Sequence, residues 1–490
     1  MSYIGLSMEN RILWIGLLLF FDFVYVQAQS NEEIQRQPNI ILIIADDVSH
    51  DDFGCYGNMQ VQTPHIDRIA KEGLRFTNMY LTTSSCSPSR ISILTGRHPH
   101  NTGAPELHMP LPAGIPTFAG LLKQAGYYVA QAGKWHLGPS ARADFDIVQD
   151  NVKENGEGGE DKWLSSLKER PKDRPFFMWF ASYDAHREWG SNAFSGTHPP
   201  DRLHLPAYYA DTPDTRRDLA NYYDEIARLD FHVGTVSDEL KKQGIWDNTI
   251  LIVMADNGRP FPRDKTRLYD SGIKSPFIVH GGGFLKANHG RTCEALISAI
   301  DIAPTICDLA GIKTEGKFRG KSFAPLLQNT DRPFRKYSFA QHNWHDYEAM
   351  ERMVVDGEYM YILNLRHNLP NTGAADVSTS SSFQDLRALR NQGSLNNYQS
   401  DIFVVPRPME ELYDLRTDPM QFNNLVSNRK YRSQLKRMKR QLKRWRKDTG
   451  DYDIENLTKD WFDRQTGEAL DIQKIRGEVP GSKTVPRNSL

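Results

Sequence analysis

"NIILIIADD", residues 39–47, decides the fold. Ile40 to Ala45 is an unbroken apolar run, the pattern of a strand covered on both faces, and it stops abruptly at Asp46 and Asp47. The same grammar returns at "TILIVMADNG", residues 249–258, where the run ends in Asp256, Asn257 and Gly258. Two buried strands thus deliver polar oxygen at their C-terminal ends. Ligands bind at that edge of open α/β sheets, so the two clusters are expected to meet although about 210 residues part them.

Between and beyond these runs, helices and strands alternate. A helix is expected at about 117–125, a strand at 127–132, a strand in "PFFMWFASYD" ending at Asp184, and a long helix over 218–243. "SPFIVHG" (275–281) and "DIAPTICDLAG" (301–311) add a strand and a helix. The alternation predicts an α/β fold with a large, mostly parallel central sheet flanked by helices. After about residue 340 the segments become short, aromatic and polar-rich, with a loop expected from Leu369 to Tyr398. We expect a catalytic domain over 37–340 and a smaller C-terminal α+β domain with a small antiparallel sheet over 341–490. At 490 residues the chain exceeds the ~250–300 at which one core stops growing, in keeping with two domains.

Composition narrows the partners and the destination. Lys plus Arg total 60 against 61 Asp plus Glu, so the overall charge gives no reason to expect nucleic acid or any other polyanion as the partner, and any charge argument is local. The N-terminus is polar and charged to Arg11, apolar from Ile12 to Phe21, then small at Val26-Gln27-Ala28. That pattern predicts a signal peptide over 1–28 and export to a periplasm, the exterior or a lysosome, depending on the organism. The apolar run falls short of the ~20 residues that span a bilayer, so no membrane span is expected.

Four cysteines make no disulfide framework in so long an exported chain. Cys55, Cys293 and Cys307 read most simply as buried thiols, with a Cys293–Cys307 bridge left open. Cys86 is different, lying in "SSCSPSRISILTGRHPH", residues 84–100. A cysteine nucleophile would need a histidine base in reach, and none is evident beside it. Asp46, Asp47, Asp256 and Asn257 offer only oxygen, which suits calcium or magnesium rather than zinc. Strand-end capping is the bland reading of the same residues.

Cys86, Pro88, Arg90, Thr95 and Gly96 stand in the register of C-x-P-x-R-x-x-x-x-T-G, and the stretch resembles the signature of the formylglycine-dependent (type I) sulfatase family. "GKWHLG" (133–138), "ADNG" (255–258) and "ELYDLRTDPMQFNNL" (411–425) extend the resemblance over most of the chain. "DAHR" (184–187), "DTPDTRRDLANYYDEIARLD" (211–230) and "PFPRDKTRLYDSG" (260–272) are similar to its heparan N-sulfatase branch. Lys265 stands there where arginine is expected, which keeps the charge but not the fork geometry.

The resemblance implies an alkaline-phosphatase-like sandwich. It implies that a formylglycine-generating maturation enzyme oxidises Cys86 to formylglycine (3-oxoalanine), whose hydrate attacks the sulfur of a sulfate ester or sulfamate. One calcium ion, ahead of magnesium, would be held by Asp46, Asp47, Asp256, Asn257 and the side chain at Cys86. Arg90 and Lys134 would steady the nucleophile and His136 would be the base, with His186 and Lys265 on the leaving-group side and His186 the proton donor. The implied substrate is a sulfated saccharide, first the N-sulfated terminal glucosamine of heparan-type glycans. Alternatives are an O-sulfatase on another sulfated polysaccharide, a phosphonate or phosphate monoesterase, and an inactive glycan-binding protein; the last would show decayed catalytic positions, and none is decayed. A homodimer is left open.

One stretch lies outside this scheme. In "RKYRSQLKRMKRQLKRWRKD", residues 429–448, Tyr431, Leu435, Met438, Leu442 and Trp445 repeat at fours and threes, which predicts an amphipathic helix with a dense basic face. Such a face is ordinarily solvated, though it could also grip a polyanion.

Overall fold

The run from Ile40 forms strand β1, Asn39–Ala45, and every residue in it is buried. Its side chains divide by parity. Ile40, Leu42 and Ile44 enter one hydrophobic core, and Ile41, Ile43 and Ala45 enter the other, as the two-residue period requires of a strand covered on both sides. Each fully buried Ile or Leu contributes about 1.5–3 kcal/mol, so this strand belongs at the centre of a layered fold. The computed structural model describes residues 37–478 apart from 283–284, 286–287, 371 and 454. The signal peptide expected at 1–28 lies outside the described residues. No helix among them is long and apolar enough to cross a membrane.

In chain order the next strands are β2 (Leu74–Phe76), β3 (Met79–Tyr80), β4 (Tyr128–Gly133), β5 (Ile147–Gln149), β6 (Phe176–Ala181), β7 (Thr249–Ala255) and β8 (Phe277–His280). They are followed by β9 (Arg291–Cys293), β10 (Ile297–Ser298), β11 (Ser338–His345), β12 (Tyr347–Val355), β13 (Tyr359–Asn364) and β14 (Glu410–Asp414). One sheet has the order β5-β4-β6-β1-β7-β8-β2-β9. It is mostly parallel, with β8 running against both β7 and β2. The helix Pro213–Lys242 covers one face with Leu219, Tyr222, Ile226, Leu229 and Val233. Helices Cys86–Thr95, Phe118–Gln124 and Ile302–Leu309 cover the other. This is the helix-flanked sandwich expected. The second sheet is an antiparallel meander, β11-β12-β13-β14. The helix Arg432–Thr449 packs on it, burying Met438, Leu442 and Trp445 against Val354, Tyr359 and Tyr361.

Several expectations need correction. The 369–398 segment is not all loop: it holds helices Ala375–Ser378 and Ser381–Asn391. Ser380 caps the second by accepting from the Phe383 amide, and Phe383 and Leu386 are buried with Ala374, Val377 and Ile402; so few apolar anchors among many polar residues hide the period. The long helix starts at Pro213 rather than 218, with Thr212 accepting from the Thr215 amide as its cap. No disulfide joins Cys293 to Cys307, since all four cysteines are free, and Cys55 is only partly buried.

Candidate active site

The order β4-β6-β1-β7 aligns four strand ends. Ala45 pairs with Ala255 across β1 and β7, so Asp46 and Asp256 leave the sheet side by side, and the Asp256 amide donates to the Ala45 carbonyl at 3.1 Å. Gly133 pairs with Ala181 at the ends of β4 and β6. A Cβ on Gly133 would lie 1.9 Å from the Ala181 carbonyl oxygen, and its φ of +94° suits only glycine, so no other residue lets the Lys134 amide donate to that carbonyl at 2.8 Å. From these ends come Lys134 and His136, Asp184 and His186, Asp46 and Asp47, and Asp256 and Asn257. The two acidic clusters meet as the sequence predicts.

Cys86 opens the helix Cys86–Thr95, at the end where free amides favour negative charge. Arg90 lies one turn on, on the same side. Pro88 occupies the first turn, where its missing N–H costs nothing, and Gly96, with φ +59°, ends the helix in the left-handed region. The signature is therefore a short capped helix presenting residue 86 over an arginine. Burial pushes the Cys86 thiol well above its ordinary value of 9.0, with Lys134 pulling the other way. A protonated thiol is a poor nucleophile, which fits a precursor role better than thiolate chemistry.

The serines around Cys86 tie in distant segments. The Ser84 hydroxyl accepts from the Thr266 amide at 2.9 Å, Ser85 bonds His345 Nδ1 at 2.8 Å, and Ser87 accepts from the His108 amide at 2.8 Å. Thr266 follows Lys265, and His108 bonds His136, so the loop carrying Cys86 sets the positions of its partners.

Around Cys86 the charges interlock. Arg90 Nε donates to Asp256 Oδ2 at 2.7 Å, and its Nη2 lies 3.4 Å from Asp46 Oδ1. Lys134 Nζ donates to Asp46 Oδ2. Burial would raise the Asp46 carboxyl, but Lys134 and Arg90 outweigh it and hold the group below the usual carboxylate range. For Asp256 burial wins over Arg90, pushing it up to about 7. Such a carboxylate calls for a cation. Asp46, Asp47 and Cys86 place ligand atoms within 4.8 Å of one another. Asp46 Oδ1 and Asn257 Oδ1 are buried without a hydrogen-bond partner. Hard oxygen donors with orphaned lone pairs fit a calcium-like ion. Both Arg90 Nη atoms also lack hydrogen-bond partners, leaving donors for an anion.

His136 Nε2 lies 2.8 Å from His108 Nδ1, and its own Nδ1 is buried and unpartnered. Burial, then Lys134 and His108, hold its pKa well below 6.5, so the ring is a neutral acceptor. Lys265 is fully buried and donates to Asp47 Oδ2 at 2.7 Å and Asp376 Oδ2 at 2.9 Å. His186 Nε2 faces the same oxygens, 3.9 Å from Asp47 and 3.7 Å from Asp376. Burial opposes charge on Lys265, yet Asp376 and Asp47 outweigh it and keep the ammonium firmly protonated.

All the candidate residues thus gather at one sheet edge. Asp376, His345 and His108 join them and escaped the sequence reading; only the serine-rich setting of Cys86 hinted at extra tethers. His98 and His100, which carried no motif, lie elsewhere against Trp445.

A sulfatase family profile matches residues 38–312. The human N-sulphoglucosamine sulphohydrolase is 31% identical over 464 residues, 85% of this chain and 91% of that protein. An ulvan-active sulfatase of Formosa agariphila is 27% identical over 514 residues, 90% of this chain and 82% of that one. A solved complex of a protein with its substrate D-glucosamine-2-N,6-O-disulfate shares the fold with a TM-score of 0.69 at 21% identity, covering 85% of this chain and 99% of that chain. The fold is the alkaline-phosphatase-like sandwich, and the chain belongs to the sulfatase family, the hydrolases of sulfuric esters and sulfamates.

Proposed function

We propose that this protein removes N-linked sulfate from the terminal glucosamine of heparan-type glycans, with formylglycine at position 86 beside a calcium ion held by Asp46, Asp47, Asp256 and Asn257. The observation that carries the substrate is the leaving-group face: "DAHR" and "PFPRDKTRLYDSG", the segments most like the N-sulfatase branch, bring His186 and Lys265 together against Asp47 and Asp376. The 31% identity to the human N-sulphoglucosamine sulphohydrolase over 85% of the chain supports the same reading.

When present, the ion and the converted side chain supply charge for the sulfate oxygens and an oxygen nucleophile. Arg90 offers its unpartnered Nη donors to negative charge developing at sulfur, inside a site where hydrogen bonds act at low dielectric. Lys134 holds Asp46 and orders that side of the site. His136, kept neutral, accepts a proton at its free Nδ1. His186 Nε2 hands a proton to the departing nitrogen, and Lys265 steadies the lone pair gathering there. We assign catalysis to residues 37–340 and place specificity in the smaller domain, 341–490, which contributes Asp376 and His345.

A second reading, an O-sulfatase on another sulfated polysaccharide, is favoured by the 27% identity to the ulvan-active sulfatase over 90% of the chain. The test is sulfate release from N-sulfoglucosamine against 6-O-sulfated glucosamine, by protein coexpressed with a formylglycine-generating enzyme, beside a Cys86→Ala control. Release from the first sugar alone supports the proposal. Release from the second alone sinks it and favours the other reading.

A further inference from the structure

We infer that the helix Arg432–Thr449 carries an elongated binding stripe for sulfated polysaccharide, apart from the catalytic site. Between residues 429 and 447 stand eleven Lys and Arg and no Asp or Glu, in a chain whose net charge is only −1. The structure sorts these cations. Arg437 pairs with Asp356, Lys439 with Glu410, Arg444 with Asp448, and Arg446 with Asp451. Arg432, Lys436, Arg440, Lys443 and Lys447 are exposed and have no ion pair or side-chain hydrogen bond among the described residues.

Those five recur at intervals of four, four, three and four residues. With about 3.6 residues per turn and a 1.5 Å rise they occupy an arc of roughly 80° and a length of about 22 Å. The apolar seam of Met438, Leu442 and Trp445 lies roughly 150° around the helix by the same geometry, facing the small sheet. The result is a straight, narrow, unneutralised line of positive charge. Like charges three and four residues apart disfavour a helix, and a face that served solubility alone would interleave glutamate. A groove of about 620 Å³ lies beside the line, bordered by Arg440, Lys443 and Lys447 of the stripe, by Tyr452, and by Glu410, Asp451 and Asp453, whose charges are met by Lys439 and Arg446.

A linear polyanion matches this shape. The apolar face is already buried against the small sheet, so the helix has nothing to insert into a membrane. The overall charge provides no long-range attraction for any polyanion, so binding rests on the local line of charge. The choice of sulfated glycan rests on the function proposed above. Held there, a polymer would bring its ends to the site at raised effective concentration.

The test uses K436Q/R440Q/K443Q in the full chain, glutamine being a good helix former, with circular dichroism to confirm the fold. Heparin and chemically desulfated heparin are the probes, titrated over a NaCl series without turnover. The triple variant should bind heparin at least about tenfold more weakly, with the slope of log K against log [NaCl] reduced by about two to three. KM for a long N-sulfated chain should rise while kcat, and turnover of a monosaccharide, stay put. Unchanged heparin binding by the variant overturns the stripe. So does equally tight wild-type binding to desulfated heparin or to phosphatidylglycerol vesicles. Heparin binding lost in the variant, in a protein that leaves N-sulfoglucosamine intact, would refute the proposed substrate and support the stripe.

Discussion

Asp376→Asn removes one negative charge and almost no volume from the leaving-group face. In the native site the Lys265 ammonium bridges two carboxylates, at 2.7 Å from Asp47 and 2.9 Å from Asp376. Asp376 is the larger of the two supports for its charge. A hydrogen bond to a charged group is worth about 1.5–3 kcal/mol, so the variant should lose about 2 kcal/mol of stability. The ammonium would then be drawn to Asp47, away from the substrate. If most of that energy is felt in the transition state, kcat falls about 10- to 100-fold at 1.36 kcal/mol per decade. The assay is steady-state turnover of N-sulfoglucosamine by Asp376→Asn, Lys265→Met and the double variant, with urea melts alongside. Residues acting through one another are non-additive, so the double variant should be little worse than Lys265→Met. Wild-type kcat in Asp376→Asn, or losses that multiply in the double variant, would refute the coupling.

Other expectations follow from the same geometry. Calcium added to chelator-treated protein should raise the Tm, by an amount equivalent to about 2.7 kcal/mol at a hundredfold excess over Kd, and Asp256→Asn should abolish most of the shift in differential scanning fluorimetry. Burial pushes Glu106 from 4.5 up to about 7 against its bonds to Thr458 and Arg476. The folded state therefore binds that proton more tightly, and the stability it gives is full below about pH 4.5 and lost as pH rises through about 7. Glu106→Gln should melt near the wild type at pH 5 and above it at pH 8, by up to on the order of 3 kcal/mol. Asp451→Ala strands Arg352, which is fully buried and bonded to Asp451 twice at 2.7 Å. It should cost about 3–5 kcal/mol in urea unfolding; less than 1 kcal/mol would contradict that account.

The central sheet was legible because its strands are buried on both faces: a run such as Ile40–Ala45 has one stable place. The meeting of Asp46 and Asp47 with Asp256 and Asn257 followed, since strands that pair in register end in register. The helix Arg432–Thr449 was legible from its apolar repeat alone. Asp376 was not, because its four-residue helix lies in a serine-rich stretch and its role depends on Lys265, far away in sequence. Ser84, Ser85 and Ser87 were equally opaque, since a hydroxyl's partner is fixed by tertiary structure and leaves no local pattern. The start at Pro213 was readable, for Thr-Pro-Asp is a cap followed by proline and an acid.

The most direct test of the account is specific activity on N-sulfoglucosamine against the fraction of Cys86 converted to formylglycine, measured by mass spectrometry of the same preparations. The account predicts a straight line through the origin, with Cys86→Ala inactive. Sulfate release by protein whose Cys86 is still a thiol would contradict it.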